Sequence, residues 1–171
     1  MGVEPELHPH LAQLAPFLGT WRGEGTGAYP GASAFTYVEE LVLGHVGKPF
    51  MTYVQRTRST VDGSPMHAEM GYLRMPAGDR CELVLAHPTG VTEIAEGPVT
   101  SSTDGSVLVE ARSTEIGLTS SAKEVTELVR RWRLVRSAED PGADRLEYTV
   151  DMAAVGQPLQ HHLSAVLHRA D

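Results

Sequence analysis

Gly19-Thr20-Trp21-Arg22-Gly23-Glu24-Gly25 places three glycines around one tryptophan, directly after a short apolar segment. A helix interior suits such a heptad poorly, since each glycine costs roughly 1 kcal/mol against alanine there. In a strand, glycine marks a bend or the close approach of another backbone, and tryptophan supplies a large buried face. The heptad is therefore typical of the first strand of a small closed barrel, with Trp21 sealing one end. Barrels of this size hold one small ligand.

The rest of the chain predicts further strands, because apolar and polar residues alternate between turn signals. Before the heptad, residues 9–18 carry Leu11, Leu14 and Leu18 at helical spacing, which predicts a short helix that closes the barrel floor. After the strand of Trp21, the predicted strands are 35–39, 49–58, 67–75, 81–87, 91–95, 107–112, 124–135, 146–152 and 163–169.

Consecutive strands joined by short turns should pair as neighbours. We therefore expect an all-β fold, a ten-stranded antiparallel up-and-down β-barrel of the lipocalin or fatty-acid-binding type with a short N-terminal helix. We expect one domain over residues 1–171, with its core at about 11–169.

Composition narrows the class of protein. The 171 residues carry a formal net charge of −8, which argues against nucleic acid or an anionic membrane as partner, because phosphate binding relies on Lys and Arg. The single cysteine, Cys81, excludes an internal disulfide and is typical of a reducing compartment. The first ten residues have no basic start and no apolar stretch, so we expect no secretory signal. A cytoplasmic location is the expectation.

Eight histidines invite a metal-site interpretation, but the usual spacings are missing. The sequence has no H-E-x-x-H, no paired C-x-x-C and no G-x-S-x-G, so zinc hydrolase, zinc finger and nucleophilic triad motifs find no support. Three segments keep functional interest: Met66-His67, the stretch 86–90 and the stretch 152–162.

These segments, together with the heptad, resemble the nitrobindins. The resemblance rests on Gly19 to Gly25 (the signature G-x-W-x-G-x-G), then on Pro65-Met66-His67-Ala68-Glu69-Met70-Gly71-Tyr72, then on residues 152–163, and it runs from about Leu14 to Arg169. It implies a ten-stranded barrel that binds one haem b per subunit, with ferric iron held by one imidazole. It also implies binding of nitric oxide and isomerisation of peroxynitrite to nitrate. Small molecules are then the expected partners, and a homodimer is left open.

The resemblance implies that His162 is the axial ligand and the catalytic residue, because Met152, His162 and Leu163 match the family's spacing. His161 is a rival, since in a regular strand it would share the inward face with Leu163 and Ala165. For His162 to face iron, the strand must break its alternation between residues 158 and 163, and Pro158 favours such an irregularity. We follow the family spacing.

The remaining matches are cofactor-binding candidates. Met66, His67 and Met152 match positions lining the family's haem pocket, and Thr36 and Lys123 lie in matching segments. The methionines would make the pocket largely apolar, without a strong hydrogen-bond donor. His67 would lie beside haem without binding iron, or be an ordinary partly buried histidine; Lys123 would pair with a propionate, or be a solvated lysine.

Gly19, Trp21, Gly23 and Gly25 are assigned to the fold and to the pocket floor.

Two other functions remain open at this point. A carrier of lipid or another small apolar ligand would use the same barrel, because fold does not determine function. A haem-based nitric oxide carrier or sensor without turnover would need the same site as an isomerase.

Overall fold

The structure is a computed structural model that describes residues 5–170. Residues 1–4 and 171, which the single-domain prediction includes, lie outside the described range, and the domain boundaries stay a prediction. The elements in order are a 3₁₀ helix Pro9–Phe17, β1 Gly19–Gly27, β2 Phe35–His45, β3 Phe50–Ser59, β4 Pro65–Ala77, β5 Arg80–His87, β6 Val91–Ser101, β7 Val107–Leu118, β8 Val125–Val135, a 3₁₀ turn Pro141–Ala143, β9 Arg145–Ala154 and β10 Gln160–Arg169.

The strands form one closed antiparallel barrel in which each strand pairs with its neighbours in sequence. The first and last strands close the ring, with Trp21 opposite Arg169 and Gly27 opposite Leu163. Along most strands every second residue is buried, as alternation of side chains across a sheet requires. The predicted ten-stranded up-and-down barrel is confirmed.

The N-terminal helix covers one end of the barrel, here named the closed end. It is a 3₁₀ helix, and its buried residues are Leu11, Leu14 and Phe17, at the three-residue spacing of that helix. The predicted helix extended to Leu18, whereas the observed helix ends at Phe17. Leu18 is the capping residue, whose backbone N–H donates to Ala15 O, and its side chain packs against the core.

Trp21 joins the helix to the barrel at the closed end. It is fully buried, its indole Nε1 donates to Phe17 O at 2.8 Å, and the Arg169 guanidinium lies 4.4 Å from the ring centroid. A large apolar side chain with one satisfied donor is well suited to close a barrel.

The glycines of β1 make room for aromatic side chains of β2. A Cβ on Gly25 would lie 2.3 Å from the Tyr37 ring, and a Cβ on Gly27 would lie 2.3 Å from the Phe35 ring. These aromatic rings therefore lie across the inner face of β1, which only glycine permits. Both rings line the half of the barrel that lies away from the N-terminal helix.

Strand β10 contains one irregularity, at the position where the sequence required it. His161 pairs with Asp151 and Leu163 pairs with Val150, so His162 is an extra residue in the ladder. Such a bulge re-aims one side chain while the remainder of the strand keeps its alternation. The expected break in alternation is confirmed.

Within residues 5–170, no helix has the length and apolar character needed to cross a membrane.

Candidate functional site

A cavity of about 500 Å³ occupies the half of the barrel opposite the helix, here named the open end. This volume lies in the range of small-molecule sites, roughly 300–1,000 Å³. Exposed residues form its rim, namely Met66 at the start of β4 and Thr89, Ser121 and Lys123 in the hairpin connections. Buried side chains of the strands form its walls and inner end, including Tyr37, Tyr53, Gln55, Glu69, Leu128, Arg130, Trp132, Tyr148, Val150 and Met152.

His162 lines the cavity because of the bulge in β10. Its ring Nδ1 lies 2.6 Å from Ala28 O, and its backbone carbonyl accepts from Ala28 N at 2.8 Å. A carbonyl oxygen only accepts, so Nδ1 carries the proton and Nε2 keeps its lone pair. In proteins, a hydrogen bond from the ring nitrogen that does not bind the metal orients a metal-binding histidine, and the Nδ1–Ala28 O bond is of this kind.

The surroundings of His162 favour the neutral form of its imidazole, which is the form that binds metals. Burial lowers the pKa of His162 below its ordinary value, the nearby charges of His67 and Arg130 act in the same direction, and the Ala28 bond opposes them. Because protonation competes with metal binding, a lowered pKa keeps the nitrogen available at neutral pH.

His161 has a different environment. Its side chain is 55 % exposed, and its Nδ1 lies 3.5 Å from Asp151 Oδ1. It does not line the cavity. Strand alternation alone would have favoured His161, and the bulge explains why His162 takes the inward position instead.

Met66, His67, Met152 and Lys123 all line the same cavity as His162. Lys123 Nζ lies 5.3 Å from the centroid of the Tyr29 ring, and that ring meets the His162 ring edge-on with centroids 6.0 Å apart. The lysine is therefore held near His162 at the rim through an aromatic contact.

Thr36 is not brought to this site. It is exposed on β2 between the inward residues Phe35 and Tyr37, and its hydroxyl hydrogen-bonds with that of Thr60. The cavity-lining residues do not include it. Alternation along β2 accounts for the outward direction, since its two neighbours face the cavity. Trp21 and the heptad glycines also lie outside the lining, so they support the closed end and the barrel wall rather than the cavity itself.

The inner end of the cavity contains a buried ion cluster that the sequence analysis missed. Arg130 binds Glu69 through two hydrogen bonds of 2.8 Å, and its Nη2 lies 2.7 Å from Glu93 Oε2. Tyr53 donates to Glu69 at 2.9 Å. All four residues are buried.

Mutual attraction keeps this cluster ionised. Burial alone would raise the pKa of Glu69, but the Arg130 charge and hydrogen bonds from His67 and Arg130 hold it well below the ordinary value. The pKa of Glu93 is lowered against burial in the same way, by Arg130 and by His87. Burial would lower the pKa of Arg130, yet both carboxylates raise it well above its ordinary value.

His67 and His87 connect this cluster to the cavity. His87 Nδ1 lies 3.3 Å from His67 Nε2, and His87 Nε2 lies 3.3 Å from Glu93 Oε2. His67 is thus a paired histidine on the cavity wall. His87 belongs to the stretch 86–90 that the sequence analysis left without a role.

A second polar group lies beside the cluster. Tyr148 donates to Glu39 Oε2, and the Tyr37 hydroxyl lies 2.7 Å from that of Tyr148. Burial raises the pKa of Glu39 to about 7. Among residues 5–170, Glu39 Oε1 and Gln55 Oε1 are buried without a hydrogen-bond partner. Protonation of Glu39 would supply the missing donor.

The sequence analysis expected a largely apolar pocket without a strong hydrogen-bond donor and did not expect these buried polar groups at the inner end of the cavity. Their signal was present in the sequence: Glu39, Glu69, Glu93 and Arg130 occupy inward positions of alternating strands, where an apolar residue is the norm.

A closed barrel with a cavity open to solvent and an oriented histidine in the cavity wall has the form of a small-molecule-binding barrel. The comparison with known families agrees. Residues 10–169 match the family described as THAP4-like, heme-binding beta-barrel domain. The chain belongs to this family, and the resemblance to the nitrobindins is confirmed.

Close relatives carry functional names. The chain is 55 % identical over 164 residues to peroxynitrite isomerase 1 of Mycolicibacterium paratuberculosis, covering 96 % of this chain and 97 % of that protein. It is 53 % identical over 163 residues to peroxynitrite isomerase of Nocardia farcinica, covering 95 % and 92 %. The crystal structure of Rv2717c from M. tuberculosis superposes with a TM-score of 0.89 at 48 % identity, covering 97 % of this chain and all of that one.

The cavity residues fit a haem group. His162 Nε2 offers a neutral nitrogen whose ring is fixed by Ala28, which is the ligand type that haem iron takes in many proteins. Met152, Leu128 and Val150 supply apolar wall for a porphyrin face, and Lys123 at the rim offers a cation for a carboxylate.

Proposed function

We propose that this protein binds one haem b through His162 and isomerises peroxynitrite to nitrate. The observation that carries the proposal is the oriented His162 ring, which the β10 bulge directs into the cavity with Nδ1 bonded to Ala28 O. The names of relatives above 50 % identity support the reaction. His162 is the residue to which we assign both iron binding and catalysis.

Ferric haem, when bound, would supply Lewis-acid chemistry for the isomerisation of peroxynitrite to nitrate. The residues of the chain would hold and surround that group. His162 would hold the iron through Nε2, Lys123 would neutralise a propionate at the rim, and Met66, His67 and Met152 would line the space around the ring. The barrel thus provides ligation, access and polarity.

We also expect nitric oxide to bind in this cavity, as the nitrobindin resemblance implies. The same resemblance implies haem of type b. One haem per chain fits a cavity that offers one oriented histidine besides the His67–His87 pair. A cytoplasmic location is consistent with the single cysteine, Cys81, which is a buried free thiol whose pKa burial raises to about 11.

A haemin titration followed by absorbance tests the binding step. Wild-type protein should reach one equivalent with a Soret band distinct from that of free haemin. His162→Ala should lose stoichiometric binding with the circular dichroism of a β-barrel retained, and His161→Ala should bind as wild type does. The reverse result would assign the ligand to His161. No Soret shift in any of the three proteins would make a carrier of lipid or another apolar ligand the leading function.

Stopped-flow decay of peroxynitrite tests the reaction. Ferric holo-protein should accelerate the decay, raise the nitrate yield and reduce nitration of added tyrosine. Haem-free protein and His162→Ala mixed with haemin are the controls, because free haemin itself reacts. If haem binds but tyrosine is protected no better than in these controls, the function is that of a nitric oxide carrier or sensor without turnover.

A further inference from the structure

We propose that His67, Glu69 and His87 form a separate site in the cavity wall that binds one divalent transition-metal ion. The three side chains all line the cavity and come from the neighbouring strands β4 and β5. Met70 of β4 pairs with Ala86 of β5, so the next residues, Glu69 and His87, lie side by side on the two strands. His67 lies one inward position nearer the rim than Glu69.

The distances between the donor atoms are those of a preformed site. His87 Nδ1 lies 3.3 Å from His67 Nε2 and 3.3 Å from Glu69 Oε2, and His67 Nε2 lies 3.7 Å from Glu69 Oε2. Ligand atoms held at about 2.0–2.1 Å around a tetrahedral Zn²⁺ are about 3.3–3.4 Å apart. The three atoms therefore form one face of such a tetrahedron, and its fourth position faces the cavity.

The groups behind these ligands are arranged as in known metal sites. His87 Nε2 lies 3.3 Å from Glu93 Oε2, and a carboxylate only accepts, so Nε2 carries a proton. In the neutral ring, Nδ1 is then the nitrogen with a lone pair for a metal ion. Glu69 is fixed by Arg130 and Tyr53. Such outer contacts orient the ligands and set the tautomer of a metal-binding histidine.

The charge of the cluster also favours a cation. Glu69 and Glu93 contribute two negative charges, and among residues 5–170 the guanidinium that pairs with them is that of Arg130. The remaining negative charge faces the two imidazoles. In the absence of metal, those imidazoles share a proton across their 3.3 Å contact, and the metal ion takes the place of that proton.

Two imidazoles and one carboxylate, with a fourth position open to the cavity, are a ligand set that Zn²⁺ accepts. Zn²⁺ is therefore the first probe, and Co²⁺ is the spectroscopic one. The site uses neither His162 nor the rim lysine, and it shares only His67 with the residues proposed to surround haem. Zn²⁺ binding by the haem-free protein therefore does not rest on the proposed haem function. His67 and His87 are 20 residues apart, which explains why no short zinc motif shows in the sequence.

The experiment titrates the full-length, metal-stripped protein with Zn²⁺ in competition with a chromophoric chelator, with and without one equivalent of haemin. The haem-free wild type should bind one equivalent, and Co²⁺ should give the intense visible bands of a tetrahedral complex. Zn²⁺ should also raise the melting temperature, because it binds the folded state.

Variants assign the ligands. His67→Gln and His87→Gln should each weaken Zn²⁺ binding by at least 100-fold and remove the Co²⁺ bands, while His161→Ala and His162→Ala should retain both. Glutamine keeps a donor for the neighbouring carboxylate, and circular dichroism checks folding. Should a glutamine variant fail to fold, the wild-type stoichiometry and Co²⁺ spectrum still decide the question.

Absence of one-equivalent binding by the wild type would overturn the proposal and leave the pair as a histidine–histidine hydrogen bond. Binding that survives both glutamine variants but disappears in His162→Ala would overturn it as well, because the ion would then occupy the histidine proposed for haem. Neither result depends on whether haemin binds.

Discussion

The closed and open ends of this barrel have the same backbone alternation and opposite chemistry. At the closed end the inward side chains are apolar and fully buried, as Leu41, Met51, Leu134 and Leu146 show, and they pack beneath the helix. At the open end the same alternation directs carboxylates, an arginine, histidines and tyrosines inward. The pattern of burial along a strand therefore defines the barrel, and the residue types on its inner face define the site.

The open end gives up stability for function. A buried charge costs free energy unless it is paired, and a well-packed apolar core needs no such pairing. The closed end thus stabilises the fold, whereas the buried polar groups around the cavity at the open end reduce its stability.

The largest effect should come from removing the cation of the open end. Arg130→Met leaves Glu69 and Glu93 buried without their partner and should lower the free energy of unfolding by about 3–5 kcal/mol. Urea denaturation at pH 7 measures it. Arg131→Met is the matched control, since Arg131 pairs with partly exposed carboxylates on the outer surface and should cost less than about 1 kcal/mol. Equal losses in both variants would contradict the contrast between the two ends.

The sequence predicted the closed end better than the open end, for physical reasons. Strand alternation and turn residues are local signals, and they were sufficient for all ten strands. The ion cluster joins residues 61 and 37 positions apart, which a local pattern does not bring together. The contact between Glu69 and Arg130 depends on the closure of the barrel, and only the structure supplies it.

The position of His162 is an intermediate case. Alternation alone favoured His161, whereas the family spacing favoured His162, and the bulge accounts for the inward direction of His162. The role of His162 as haem ligand stays a prediction. Thr36 is the converse case. It lies in a segment that matches the family, but alternation along β2 directs its side chain outward.

The next largest effect should come from Glu39→Gln, which should increase the free energy of unfolding at high pH. The pKa of Glu39 is raised to about 7 in the folded protein from an ordinary 4.5, so the folded state binds the proton more tightly. Its ionisation therefore reduces stability as pH rises from about 4.5 to 7, and the loss is complete above that window. Glu39→Gln should be more stable than wild type by about 2–3 kcal/mol at pH 8, and the difference should shrink towards pH 5.

Thermal unfolding between pH 5 and pH 8 checks this. The control, Glu40→Gln, removes the same formal charge from an ion pair with Arg22 on the outer surface and should change stability by less than about 1 kcal/mol. A Glu39→Gln variant that is less stable than wild type at pH 8 would show that the charged carboxylate is needed.

A smaller loss should follow from filling the space beside β1. Gly25→Ala places a Cβ 2.3 Å from the Tyr37 ring, so the ring must move away from its hydrogen bond with Tyr148. Overpacking of this kind costs about 1–3 kcal/mol. Gly78→Ala, in the β4–β5 turn, meets no atom within 4 Å and should change stability by less than about 0.5 kcal/mol. Chemical denaturation gives the free energy of unfolding of both variants. Similar values would mean that the Tyr37 ring moves aside without cost.

The smallest effect should lie at the closed end. Arg169 donates to Leu18 O at 2.8 Å and to Pro16 O at 2.7 Å, and its guanidinium covers Trp21. Arg169→Lys keeps the charge but loses the fork that reaches two carbonyls, so the free energy of unfolding should fall by about 1 kcal/mol. Arg145→Lys, in a largely exposed pair with Glu147, should cost less than half of that.

The decisive measurement for this last variant is the haemin titration beside the melting curve. Arg169 lies outside the cavity, so Arg169→Lys should lower the melting temperature and leave the binding stoichiometry unchanged. A loss of both together would mean that the two ends do not act separately, since the helix end would then influence the shape of the cavity through β1 and β10. Loss of stability alone would support the division of the barrel into an end that stabilises and an end that binds.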